Sequence, residues 1–196
     1  MKKIILTTFL AFSMFVYSQE KKDDQVRAFS AMRLQVFYPI QFGDHSLAKA
    51  HNASVGFGSS VNIVSYKSFN VGFGIDVQNY SVSDKQLVGN FGSSKYMGCY
   101  GFASYFVPIS DKFSVLPDFG YGTANIRQRS GKQKFGDQNG NEYRLGANVD
   151  YLLGKSFAVF CGIHYIHYDL DMKTAPEYVD FYGKANQVQV ALGIKF

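Results

Sequence analysis

Eight stretches of this chain alternate apolar with polar residues, and the connections between them alternate in length. Each stretch reaches or slightly exceeds the ~9–11 residues that a tilted strand needs to cross a bilayer. Short connections follow the second, fourth and sixth stretches, whereas long polar connections follow the first, third, fifth and seventh. This organisation predicts an all-β fold, an eight-stranded antiparallel up-and-down transmembrane barrel. The predicted strands are 27–39, 53–65, 70–80, 95–107, 112–124, 142–153, 157–168 and 186–196.

Most predicted strands have one apolar face and one face of polar residues or glycine. Successive side chains of a strand point to opposite faces, so such a strand can meet lipid on one side and a polar interior on the other. The strands 95–107 and 157–168 are ambiguous, because aromatic residues occur on both of their faces. Pro117 cannot donate to a ladder, so we expect a bulge or bend there. In strand 70–80 the apolar face is Val71, Phe73, Ile75 and Val77, opposite Gly72, Gly74, Asp76 and Gln78.

The last strand carries a further signal in Val190, Leu192, Ile194 and Phe196, which share one apolar face. A strand that stops on an aromatic residue resembles the terminal signal by which transmembrane barrels are recognised for outer-membrane insertion. At the other end, two lysines and a short apolar run predict a cleaved signal peptide over 1–18. A polar segment, 19–26, then precedes a barrel domain over 27–196.

The chain resembles the outer membrane protein beta-barrel domain family, small eight-stranded barrels of the OmpX and OmpA-transmembrane-domain kind. The resemblance rests on the signal peptide, the segments Val71-Gly-Phe-Gly-Ile-Asp76 and Tyr105-Phe-Val-Pro-Ile-Ser-Asp-Lys-Phe113, and the terminal Phe196. It implies the outer membrane of a Gram-negative bacterium, a monomer, contact with outer-membrane lipids and lipopolysaccharide, and barrel assembly machinery during insertion. These motifs specify architecture rather than activity.

Composition is consistent with a barrel wall. The mean hydropathy is −0.10, as expected where only every second residue faces lipid. Loss of Lys2 and Lys3 with the leader lowers the formal charge of +5 by two, leaving too small an excess to predict a nucleic-acid partner. Cys99 and Cys161 lie on strands that are not neighbours, so we expect two buried thiols rather than a disulfide. Aromatic residues near strand ends predict interfacial girdles: Tyr38, Tyr80, Tyr121, Tyr143, Tyr151, Phe157 and Phe196.

The polar strand faces collect three cationic and three acidic residues. Turned into a narrow lumen they must pair or meet water, so we expect a polar network that fills the barrel. A catalytic alternative treats Asp118 and Asp150, on neighbouring strands, as a paired-carboxylate acid/base site. The network residues are Arg33, Asp76, Asp118, Arg144 and Asp150, with Lys195.

The histidines do not predict a metal site. His164 and His167 are three residues apart on a strand and therefore point to opposite faces. His45 and His51 both lie in the first long connection, where they could meet or simply be solvated. The segment 137–142 has the oxygen spacing of a calcium-loop start, but Glu142 stands where the loop needs glycine. We expect no metal and no cofactor.

The third long connection, 125–141, is locally cationic. Near the outer face its side chains could contact anionic lipid phosphates, although a solvated basic loop is an equal alternative. We expect a non-enzymatic barrel with a filled lumen, acting in envelope integrity or surface interaction through long loops. The alternatives are a lipid-modifying enzyme at the membrane surface and a passage for small hydrophobic molecules. The cationic residues are Arg127, Arg129, Lys132 and Lys134.

Overall fold

The computed structural model describes residues 26–131, 133–154, 156–172 and 174–196, apart from the side chains of Arg27 and Phe29. The predicted signal peptide and nearly all of segment 19–26 lie outside the described residues. Within the described ranges, ten strands and three short helices follow in chain order: β1 Arg27–Gln41, α1 Ser46–Ala50, β2 His51–Ala53, β3 Gly56–Tyr66, β4 Phe69–Val82, α2 Lys85–Val88, β5 Ser93–Tyr105, β6 Val107–Pro108, β7 Phe113–Ser130, β8 Gln133–Leu152, β9 Ala158–Leu170, α3 Pro176–Gly183 and β10 Lys184–Lys195.

Eight of these strands close into a ring. Each pairs antiparallel with its neighbours in the order β1-β3-β4-β5-β7-β8-β9-β10, and β10 returns to β1 from Arg33 opposite Lys195 to Gln41 opposite Gln187. The short β2 and β6 extensions pair at the ends of β4 and β7. The predicted eight-stranded up-and-down barrel is confirmed.

The outer wall of the barrel is apolar. Leu145, Ile163 and Leu192 each expose about three-fifths of their surface, at 62%, 61% and 61%. A continuous apolar surface of this kind is unfavourable in water and suits a hydrocarbon surrounding. Every barrel strand contributes a large exposed apolar residue, for example Val36, Phe57, Val71, Met97, Phe119, Leu145, Ile163 and Leu192.

Aromatic pairs border this apolar belt. At the short-turn end, Phe113 and Tyr151 have ring centroids 4.8 Å apart; at the loop end, Tyr121 and Tyr143 are 5.2 Å apart. Eight residues of β7 separate the two levels, which is roughly 27 Å along the strand; because strands tilt by ~40° from the barrel axis, the height along the axis is about 20 Å. That height approaches the ~25 Å apolar band of outer-membrane barrels. Tyr80, assigned to a girdle from sequence, instead points inward and is buried, because β4 places it on the face of Asp76 and Gln78.

Large aromatic rings inside the barrel lie over glycines of the neighbouring strand. These contacts show which face of each of the two ambiguous strands points into the lumen. A Cβ built on Gly74 would lie 2.4 Å from Tyr100 Cζ, and Gly72 has the same relation to Phe102. On the far wall, Gly193 lies opposite the inward ring of Phe160 on β9. The lumen therefore holds aromatic rings because glycines opposite them provide the room.

The prediction of a long loop over 125–141 is wrong, because the structure forms a strand hairpin there. β7 continues to Ser130 and β8 starts at Gln133, with a register shift at Gln128–Arg129 and Gly131 at φ 58° in the connection. Polar residues had indicated a loop, but they alternate as a strand does and pair across the hairpin. For example, Asn125 Nδ2 donates to Asn139 Oδ1 at 2.5 Å. The resulting hairpin extends well beyond the Tyr121–Tyr143 level.

Two further local predictions need correction. The bulge expected at Pro117 is not formed, because no register shift occurs there. Instead, the strand that pairs with this part of β7 is interrupted between β5 and β6, opposite the backbone nitrogen that cannot donate a hydrogen bond. The cysteines are free, as expected, but Cys161 is exposed on the apolar outer wall rather than buried, and Cys99 is half-buried. Both exposures follow from the alternation of side chains along the strand, since each cysteine lies on the face that points away from the lumen.

The other three long connections carry the short helices. α1 follows β1, α2 follows β4 and α3 follows β9, all at the same end of the barrel. Tyr182 in α3 donates its hydroxyl to the carbonyl of Leu87 in α2 at 2.7 Å, so the connections form one folded cap. Among the described residues, the structure contains no helix long and apolar enough to cross a membrane.

Candidate functional site

A cation at the centre of the lumen joins two walls of the barrel. Arg144 on β8 places Nη1 2.7 Å from Asp76 Oδ2 on β4 and donates through Nε to Glu142 at 2.9 Å. Its Nη2 donates to the Tyr96 hydroxyl at 3.2 Å, and that hydroxyl donates to Glu142. The guanidinium carbon lies 3.8 Å above the centre of the Tyr100 ring. All five side chains are buried, so this layer fills the lumen at this depth with polar groups that have hydrogen-bond partners.

This central layer is built from Glu142 and Arg144, two residues apart on β8, and from Gly58 and Gly98, which pair with Asp76 on either side of β4. A Cβ on Gly58 would lie 2.2 Å from Asp76 Oδ1, and one on Gly98 would lie 2.7 Å from Glu142 Oε2. Asp76 also accepts weak hydrogen bonds of 3.4 Å from Gln35 and Gln189. The carboxylates therefore occupy space that any larger residue at these glycines would remove.

A second charged cluster lies toward the short-turn end. Asp150 accepts from Arg33 at 3.1 and 3.3 Å and from Lys195 at 2.7 Å. The Arg33 guanidinium lies 5.3 Å from the centre of the Phe160 ring. Arg33, Asp150 and Lys195 come from β1, β8 and β10, so the cluster spans the seam where the barrel closes.

Asp118 has partners outside the predicted polar network. His164 Nε2 lies 3.0 Å from Asp118 Oδ2, and Asn148 donates to the same oxygen at 2.9 Å. The cluster lines a small cavity of ≈ 30 Å³, room for one or two waters. The strand alternation separates His164 from His167, but it does not show which side chain of another strand His164 meets. Because Asp118 and Asp150 are each held by separate partners, the structure does not form the paired-carboxylate site.

A buried aromatic layer lies inside the lumen at the loop end. Tyr80 donates to Gln187 at 3.0 Å, and Gln187 donates to the Tyr168 hydroxyl at 2.8 Å. Leu47 of α1 packs onto this layer from the cap. The remaining apolar members of the buried cluster are Tyr96, Ala124, Ile126, Ile166, Leu170 and Ala185.

The cationic residues of the former loop lie on the extended hairpin. Arg127 Nε is 3.8 Å from Asp137 Oδ1 with both side chains nearly half exposed, and Lys134 lies opposite Arg129. The Nε of Arg129 is buried without a partner among the described residues. Lys132 lies outside the described residues. Sequence reasoning missed Lys95, which the β5–β7 register places directly opposite Arg127.

Neither metal alternative is formed by the described residues. None of their His, Cys, Asp and Glu side chains gather in a group of three or more able to hold an ion. The segment 137–142 is extended strand rather than loop, so its oxygens alternate between faces and cannot surround calcium. His167 points outward, with Nδ1 2.8 Å from Asn186 Oδ1.

No protein-family model matches the chain, and no curated protein matches it. Several solved structures do match the chain. Surface protein A of Neisseria, NspA, is 9% identical over 88% of this chain and 98% of its own, with a TM-score of 0.59. The fold is that of small outer-membrane β-barrels. The N-terminal barrel of Pseudomonas aeruginosa OprF is 11% identical over 87% and 100%, at 0.47.

The matches also include an enzyme. The outer membrane protease OmpT of Escherichia coli is 12% identical over 74% of this chain and 65% of its own, with a TM-score of 0.36. At such identities the likeness concerns the fold alone, and function must be argued from this chain's own residues.

Proposed function

We propose that this protein is a non-conducting outer-membrane barrel that presents a folded extracellular cap and takes part in envelope integrity or surface interaction. The observation that supports the proposal is the series of buried side-chain layers inside the lumen. The Asp150 cluster, the Arg144 layer and the aromatic layer of Tyr80 and Tyr168 occupy different depths. An eight-stranded barrel is just wide enough to be filled by side chains in this way.

The basic face of the hairpin supports a contact with anionic lipid or surface polysaccharide. Arg127 lies six residues beyond Tyr121, roughly 20 Å along the strand and about 15 Å beyond the aromatic level. That height corresponds to lipid headgroups and the sugars attached to them. Lys95 and Arg127 are cross-strand neighbours on the outer face, with Arg129 and Lys134 beyond them. Arginine and lysine at this position suit phosphate oxygens.

We propose no catalytic role. The pair Asp118 and His164 has an acid and a base, but it faces the lumen and its third member is Asn148, which is not a nucleophile. A lipid-modifying enzyme needs its cluster on the wall that meets lipid. Passage of hydrophobic molecules would need an apolar interior, whereas Arg144, Asp76 and Glu142 occupy the centre.

Planar-bilayer recording tests the closed lumen. Purified protein should show no steady ohmic conductance above the background of the bilayer. Replacing Arg144, Asp76 and Glu142 together by Ala would remove the central layer, and a rise in conductance in that variant alone would show that this layer contributes to closure. A large steady conductance from the parent protein would overturn the proposal.

Binding to lipopolysaccharide-containing vesicles tests the basic face. A variant with Lys95, Arg127 and Lys134 replaced by Gln should bind more weakly and lose most of its salt dependence, since exposed charges act within a Debye length of ~10 Å. The matched control replaces the same number of lysines by Gln, namely Lys49 in α1, Lys85 in α2 and Lys184 at the start of β10. If both variants bind the vesicles equally weakly, the net charge of the protein alone accounts for binding. If the hairpin variant binds as well as the parent at low ionic strength, the hairpin is only a solvated connection.

A further inference from the structure

The helix α1 lies over the mouth of the barrel and contributes to its closure. Leu47 packs in the buried cluster with Tyr80, Ile126 and Tyr168, and Ala50 is also fully buried. A helix of five residues is far too short to be stable by itself in water. The position of α1 therefore depends on the contacts that hold its two ends, and at each end that contact is a histidine.

His45 holds the N-terminal end. Its Nδ1 accepts a hydrogen bond from the Ala48 backbone N–H at 3.2 Å, which makes it the N-cap of α1. Its Nε2 lies 2.8 Å from the carbonyl oxygen of Phe42, to which it can donate, and 3.0 Å from the backbone nitrogen of Asn186. The imidazole is buried. Capping by Nδ1 needs a lone pair on that nitrogen, so it exists for the neutral ring alone.

His51 holds the C-terminal end. Its Nδ1 lies 3.2 Å from the carbonyl oxygen of Ser46, and its Nε2 lies 3.1 Å from the Ser94 hydroxyl on the barrel wall. The ring is packed between aromatic neighbours, with centroids 6.3 Å from Tyr80 and 6.2 Å from Phe91. A neutral imidazole satisfies both polar neighbours by donating from Nδ1 and accepting at Nε2.

The groups around each histidine do not compensate a positive charge. Near His45 are Asp44, which is already paired with Lys49, and His167, which is another potential cation. The neighbours of His51 are Ser46, Ser94, Tyr80 and Phe91, all uncharged, while Asp84 of the adjacent connection meets Ala50 through its backbone. Burial lowers the pKa of both histidines below the ordinary value of 6.5.

We propose that residues 45–51 form an acid-released strap, which closes the extracellular mouth while both imidazoles are neutral and detaches when they are protonated. Release withdraws Leu47 and exposes the apolar layer of the cap, whereas the Arg144 layer below stays in place. The strap thereby switches an apolar surface at the outer end of the barrel without opening the lumen.

The direction of the pH dependence follows from linkage. The histidines of the released strap have the ordinary pKa of 6.5, whereas those of the closed strap have a lower pKa. Closure is therefore fully favoured above pH 6.5 and weakens as the pH falls below that value. The equilibrium constant for release rises by up to about tenfold per pH unit for each histidine, until the pH reaches the closed-state pKa.

Hydrogen exchange of the full-length protein in detergent micelles between pH 7.5 and 5.0, corrected for intrinsic rates, tests the strap. Amides of residues 46–51 should lose protection by tenfold or more, while those at the centre of β8 stay protected. In the double variant His45→Asn and His51→Asn, an uncharged amide replaces each imidazole. The amide at position 45 can cap α1, and the amide at position 51 can donate to the Ser46 carbonyl. This variant should keep the protection at both pH values.

Two controls separate the strap from other titrations. The chain contains four histidines, and the variants His164→Asn and His167→Asn should leave the loss of protection unchanged. Leu47→Ala should lower protection of the strap at pH 7.5 without acid. The proposal is overturned if the parent protein keeps its protection at pH 5.0, or if the double asparagine variant loses protection as the parent does.

Discussion

Arg144 and Asp76 form an ion pair of 2.7 Å across the inside of the barrel, between strands that are not neighbours in the ring. Each of these side chains is almost completely removed from solvent. A buried charge without its partner costs several kcal/mol, so the two strands are strongly coupled through this contact.

Replacing Arg144 by Gln should lower the free energy of unfolding by about 3–5 kcal/mol, because Asp76 and Glu142 then remain buried without a cation. Urea unfolding of the purified protein in micelles, followed by the heat-modifiable band, measures the change. The triple variant Arg144→Met, Asp76→Asn and Glu142→Gln, which carries no charge in this layer, should recover part of the loss. If Arg144→Gln is as stable as the parent, the pair does not couple the strands as described.

The sequence was sufficient to predict which segments form strands and which face of a strand points into the lumen. It was not sufficient to predict which side chains pair inside the lumen. Alternation in β4 placed Asp76 inside, since the period of two depends on local residues alone. Which cation meets Asp76 depends on strand register and barrel shear, which local patterns do not encode. For the same reason the contact between Asp118 and His164 could not be predicted from the sequence.

The extended hairpin shows a different limit. Its polar residues from Asn125 to Asn139 indicated a loop, because strand recognition relied on apolar alternation. The strands form there since each has a paired neighbour and polar cross-strand contacts, such as Arg127 with Asp137. Lys95 joined the basic face only once the β5–β7 register was known.

The hairpin should therefore exchange backbone hydrogens slowly well beyond the aromatic level. Amides of residues 122–128 should show greater protection than those of 83–90, which lack ladder partners over most of that length. Hydrogen exchange at neutral pH resolves the two segments. Similar fast exchange in both would mean that the segment behaves as the loop its polarity had indicated.

The pairing of Gly74 with Tyr100 gives a test of lumen packing. Gly74→Ala should lower the free energy of unfolding by about 1–3 kcal/mol, because the new Cβ overlaps the ring of Tyr100. In a Tyr100→Ala background the same substitution should cost much less. Chemical unfolding of the four proteins gives the coupling energy, and additive effects would show that the ring does not occupy the space over Gly74.

Phe196 completes the closing seam of the barrel. Its carbonyl oxygen accepts from the Met32 N–H at 2.7 Å, and its own N–H donates to the Met32 carbonyl at 3.0 Å. Phe196→Asp keeps both backbone groups but places a charge on the face that carries Leu192 and Ile194. We expect a several-fold lower yield of heat-modifiable protein in the outer membrane, with Phe196→Tyr as the control that retains an aromatic ring.

Refolding of purified Phe196→Asp into micelles separates the two roles of this residue. If the variant refolds there as the parent does but accumulates unfolded in cells, the ring acts in recognition during insertion. If it fails in both settings, the substitution disrupts the seam between β1 and β10 itself. An unchanged yield of folded protein in cells would remove the support for a terminal insertion signal in Val190, Leu192, Ile194 and Phe196.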